Sequence, residues 1–125
     1  MKENDLSYSI RGAAFKVHSA LGPGLLESVY EAALMYELQK KGLEVQAQVG
    51  FPVYYEEEKL DLGFRIDLLV ENKVIVELKS VESLTGVHFK QVQTYLKLTD
   101  IKLGLLINFN SMPLRDSIHR IVNKL

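Results

Sequence analysis

Near its C-terminal end the chain carries Leu103-Gly104-Leu105-Leu106-Ile107, a continuous run with no polar side chain. Too short for a typical helix and showing no alternation, the run reads as a strand buried on both faces. The segments before and after it read as further helices and strands. Ile10, Ala13, Ala14, Val17 and Leu21 recur at helical spacing, so the first ~20 residues read as an amphipathic helix closed by Gly22-Pro23-Gly24. A second helix is expected from Leu25 to Lys41, with Gly42 as its stop.

The character then changes. Val45–Tyr55, Leu60–Val70 and Val74–Lys79 are rich in Val, Ile, Phe and Tyr and are parted by the polar turns Glu56-Glu57-Glu58-Lys59 and Glu71-Asn72-Lys73. Three antiparallel strands are the simplest reading. Thr85 or Gly86 opens a helix reaching about Thr99, and the tail from Pro113 to Asn123 reads as one more amphipathic helix, with Pro113 in its first turn. The expected order is helix, helix, three strands, helix, strand, helix. With 125 residues, 47% hydrophobic and 25% charged, and without repeats or a long linker, the chain fits one domain spanning 1–125.

Composition removes several kinds of chemistry. Cysteine is absent, so disulfides, thiolate metal sites and cysteine nucleophiles are excluded, and any metal must be held by oxygen or imidazole. The opening MKENDLSYSI lacks the basic head and apolar run of a secretion signal, and no stretch approaches ~18 consecutive apolar residues. A cytoplasmic protein with no membrane partner is expected. The net charge of -1 hides a segregation: residues 1–72 hold 7 Lys/Arg and 12 Asp/Glu, residues 73–125 hold 8 and 4. The basic second half is compatible with a phosphate-facing surface and equally with an ordinary solvated face.

Arg65-Ile66-Asp67 falls on the second expected strand and Glu77-Leu78-Lys79 on the third. Strand side chains alternate, so Glu77 and Lys79 emerge on one face about 7 Å apart while Leu78 points the other way. A turn centred on Asn72 sets Asp67 opposite Glu77. Two carboxylates and an ammonium then converge, an arrangement suited to Mg²⁺, which takes oxygen ligands from one or two carboxylates together with water and substrate phosphate. Alternating charge that merely solvates an exposed strand is the competing reading.

Gly24, Glu27 and Tyr30 spell G-x-x-E-x-x-Y across the start of the second helix. With Gly24 as N-cap, Glu27 would occupy the third helical position, where free amides and the helix dipole already favour an acid. On the following helix Gln91 and Tyr95 are one turn apart, placed to touch a phosphate or brace Lys79. His88 reads as a partly exposed surface residue, and His18 and His119 have no partner pattern.

Taken in order, Gly24/Glu27/Tyr30, Asp67, Glu77-x-Lys79 and Gln91-x-x-x-Tyr95 resemble the motif series of the GxxExxY proteins, a bacterial and archaeal branch of the PD-(D/E)XK nuclease superfamily. The similarity runs from about Ile10 to Val122. It implies an α/β fold with a restriction-endonuclease-like core (αβββαβ), a mixed central sheet flanked by helices, and here an extra C-terminal helix. It also implies that Asp67 and Glu77 bind Mg²⁺, or Mn²⁺ in its place, with the Leu78 carbonyl, and that Glu27 reaches the metal from the adjoining helix. Lys79 would serve the nucleophilic water, with Tyr30, Gln91 and Tyr95 supporting the site or contacting phosphate. Ile66 stands where the superfamily motif is named for proline. The implied reaction is hydrolysis of nucleic-acid, principally DNA, phosphodiester bonds. A nuclease-fold module that binds nucleic acid or protein without turnover is the alternative, and Phe51, Tyr54 and Tyr55 on an outer strand offer a homodimer interface.

Overall fold

The computed structural model describes all residues, 1–125. Two helices open the chain, α1 (Glu3–Leu21) and α2 (Glu27–Lys40), joined by a turn in which Gly22 (φ 70°) and Gly24 (φ 96°) adopt left-handed conformations that a side chain would strain. Next come β1 (Val45–Tyr55), β2 (Glu58–Val70) and β3 (Val74–Lys79), then α3 (Gly86–Thr99), β4 (Leu103–Asn108), a 3₁₀ turn over Leu114–Ser117 and β5 (Ile118–Val122). The five strands form one sheet in the order β1-β2-β3-β4-β5, antiparallel throughout except for the central β3–β4 pair. α3 makes the crossover that a parallel pair requires.

Both faces of the sheet are covered. On one, Leu6, Ile10, Leu34 and Leu38 of α1 and α2 pack on Leu68, Val76, Leu78, Leu105 and Ile107. On the other, Val92 and Leu96 of α3 pack on Ile66, Leu69, Ile75, Leu106 and Ile121. This is why β4 shows no alternation: all six of its residues are buried. Gly104 lets α3 approach closely, because a Cβ there would stand 2.7 Å from Val92 Cγ1. No helix is long and apolar enough to cross a membrane.

The C-terminal helix expected from Pro113 to Asn123 is not formed. Leu114–Ser117 makes a single 3₁₀ turn, and Ile118–Val122 pairs antiparallel with β4. Ile118 and Ile121 are three apart, which mimics helical spacing, yet in a strand that spacing puts them on opposite faces. Each joins a different core. The free edge of β4 and the β-branched residues of the tail favour the strand.

Candidate active site

The β2–β3 hairpin turns through Glu71 and Asn72, both at positive φ, and its register is centred on Asn72: Val70 faces Val74 and Leu68 faces Val76. Regular pairing stops there. At the next row side chains take over the ladder: the Asp67 amide donates to Glu77 Oε1 at 2.9 Å, and the Leu78 amide donates to Asp67 Oδ2 at 2.8 Å. The alternation of β2 breaks at the same place, since Ile66 and Leu69 both belong to the α3-side core while Leu68 belongs to the α1/α2 side. The two carboxylates thus sit in the fork where β2 leaves β3.

Glu77 is only 4% exposed. Burial, the neighbouring Asp67 charge and a side-chain hydrogen bond to Asp67 push its carboxyl up to about 8, against the Asp67 amide and the Lys79 charge, which pull it down. Lys79 is two residues along the same strand and takes part in none of the salt bridges of the chain, so its ammonium is not committed elsewhere. From α3, Tyr95 faces the pair: burial and then the Glu77 and Asp67 charges raise its hydroxyl above the ordinary value, while a hydrogen bond with Gln91 lowers it. The ring is fixed by stacking on Phe64 (4.5 Å between centroids), itself stacked on Phe51 (5.6 Å). Phe51 therefore braces Tyr95, whereas Tyr54 and Tyr55 further along β1 stand exposed.

α2 supplies the third side. It begins at Glu27, with Leu26 at the N-cap, so Glu27 is the first helical residue and not the third. Its Oε2 accepts from the Ser80 amide at 3.4 Å, at the C-terminal end of β3, where a cleft of about 350 Å³ lined by Leu25, Leu26, Glu27, Ser28 and Ser80 opens. Tyr30 is wholly buried and stacked on Phe109, 4.6 Å between centroids. Its hydroxyl donates to the Gly22 carbonyl (2.5 Å) and accepts from the Leu25 amide (3.1 Å). Of the two expected roles, support or phosphate contact, these bonds suit the first: Tyr30 pins the loop that launches Glu27. Two neighbours escape a reading of the sequence. Glu31, one turn beyond Glu27, accepts from Gln48 Nε2 at 2.7 Å, and the same nitrogen lies 3.4 Å from Asp67 Oδ1. Burial raises the Glu31 carboxyl, the Gln48 hydrogen bond lowers it, and the Asp67 and Glu27 charges raise it further, which puts all three acids within electrostatic reach. The spacing of four between Glu27 and Glu31 was the available signal.

The donor set fits a hard divalent cation at Asp67 and Glu77: a buried and a half-buried carboxylate lie side by side with no salt bridge to either, and both are oxygen ligands. Glu27 stands at the rim; no three His, Asp or Glu side chains are grouped closely enough to hold an ion by themselves. A sequence profile of the PD-(D/E)XK nuclease superfamily matches residues 4–121. The chain belongs to that superfamily. PD-(D/E)XK nucleases typically use divalent metal ions, and the mixed five-stranded sheet flanked by helices is their fold. Among solved structures this PD-(D/E)XK chain is similar to one described as "Crystal structure of SSO0001", with a TM-score of 0.54 and 21% identity. That likeness is one of fold. It covers 79% of this chain and 51% of the other, so the chain spans about half the length of that protein. No curated protein matches.

Proposed function

We propose that the chain is a Mg²⁺-dependent nuclease that hydrolyses DNA phosphodiester bonds, of the GxxExxY branch, acting in the cytoplasm as a single domain. One observation carries the reading: Asp67 and Glu77 are cross-linked to each other's strands where β2 leaves β3, with Lys79 next on the same face. Asp67 and Glu77 would hold the ion, with Glu27 on the α2 side of the site. When bound, Mg²⁺ lowers the pKa of a water and neutralises phosphate charge. Lys79 orients the attacking water and faces the developing negative charge on the phosphoryl oxygens. Gln91 presents an amide and Tyr95 a hydroxyl from α3 to a substrate phosphate, the Tyr95 ring being stacked on Phe64, which is itself stacked on Phe51.

The test is incubation of the purified chain with linear, single-stranded and branched DNA in Mg²⁺ or Mn²⁺. At least one substrate is cut, and Glu77→Ala or Lys79→Ala removes the activity. Cleavage surviving both substitutions rejects the assignment. A module that binds without turnover is the second reading, favoured by Glu27 resting on the Ser80 amide instead of meeting Asp67 and Glu77. Calorimetry separates the two, since a folded chain that takes up no Mn²⁺ at millimolar concentration is the module.

A further inference from the structure

We propose that Gln48 is a positioning residue of this site, an uncharged clamp that fixes the free oxygen of Asp67 and ties it to Glu31 on α2. The proposal rests on the metal-dependent reading above. Gln48 lies within β1, between Ala47, which faces Leu68, and Val49, which faces Ile66, and is thus level with Asp67. Yet its φ is 52°, a left-handed conformation that side-chain-bearing residues rarely take inside a strand. Gln48 is exposed, so no apolar packing imposes this twist. Its gain is the pair of hydrogen bonds from one amide nitrogen, 2.7 Å to Glu31 Oε1 and 3.4 Å to Asp67 Oδ1. A glycine or an asparagine would accept the backbone with less strain, but neither makes this reach.

The chemistry of the side chain suits the place. Asp67 Oδ2 is taken by the Leu78 amide, which leaves Oδ1 as the oxygen available to an ion. An amide nitrogen carries two hydrogens and no charge, so it can hold Oδ1 and the Glu31 carboxylate together without competing with a cation as a lysine would. Asp67 is then oriented from both sides, by the backbone of β3 and by the side chain from β1. Glu31 anchors the clamp to α2, the helix that also carries Glu27.

The experiment compares the full chain with Gln48→Gly and Gln48→Asn, both at ease with a left-handed backbone, by thermal melting and by calorimetric titration with Mn²⁺ alone. The clamp predicts a melting temperature unchanged or raised in both variants, with Mn²⁺ affinity lowered about tenfold or more, the usual cost of losing a residue that orients a ligand. Adding Glu31→Gln to Gln48→Gly then lowers affinity less than Glu31→Gln does alone, because the contact is already gone. Undiminished Mn²⁺ binding by both variants overturns the clamp while leaving the metal reading intact. A wild-type chain that binds no Mn²⁺ overturns the metal reading itself, and the clamp with it.

Discussion

The Glu77 carboxyl, pushed up to about 8 by burial and by Asp67, keeps its proton at pH 7 in the metal-free chain. In the unfolded chain the same group ionises near its ordinary value of 4.5. Between those values the folded state binds more protons than the unfolded one, so Glu77 makes stability fall as pH rises from about 4.5 to 8. The cost at the upper end is on the order of a few kcal/mol. Glu77→Gln keeps the shape and removes the ionisation. Urea denaturation at pH 5 and pH 8 is therefore expected to show a midpoint loss in the metal-free wild type that Glu77→Gln lacks. Mn²⁺ is expected to supply a divalent counter-charge that restores the wild type at pH 8 and leaves the variant unmoved. A wild-type midpoint equally high at both pH values without metal would mean that neither burial nor Asp67 opposes ionisation of Glu77.

At the scale of elements, the site exists because α3 is pressed against β4 at Gly104, which brings Tyr95 over the Asp67–Glu77 fork. Gly104→Ala drives a methyl into Val92 and costs about 1–3 kcal/mol, as overpacking does. On the proposed nuclease reading, displacing α3 also lifts Tyr95, so cleavage is expected to fall further than the stability loss explains, and Val92→Ala in the same chain is expected to recover both melting temperature and rate. Much of this assembly was legible in the sequence. Period-two alternation and the Asn72 turn were enough to bring Asp67, Glu77 and Lys79 together, because a short hairpin admits few registers. Gln48 was not legible, for a definite reason. Counting back from the Glu56-Glu57 turn, where Tyr55 faces Glu58, sets Gln48 opposite Arg65; the bulge between Pro52 and Tyr54 shifts the pairing by two and brings it level with Asp67. Nothing short of the bulge itself announces that shift.

For the whole molecule, the sheet must be closed at both margins, and the two margins are closed differently. β1 ends in a hairpin whose outer residues are exposed and carry Glu56, Glu57, Glu58 and Asp61, charges that discourage edge-to-edge pairing. β4 has no such protection: all of Leu103–Asn108 is buried, and β5 is what covers its outer edge. A tail helix laid on the surface would be a detachable layer, whereas β5 completes both cores at once, Ile118 on the α1/α2 side and Ile121 on the α3 side. The two expectations part on removal of residues 113–125. Loss of a surface helix leaves a folded and soluble chain, but loss of β5 bares an apolar strand with unpaired amides and carbonyls, the template for intermolecular pairing. The truncated chain is accordingly expected to collect in the insoluble fraction or to scatter light as large particles. Arg120→Glu, an exposed change within β5, leaves the strand in place and the chain monodisperse. A truncated chain with wild-type circular dichroism and no growth in particle size would show that β4 can serve as an edge.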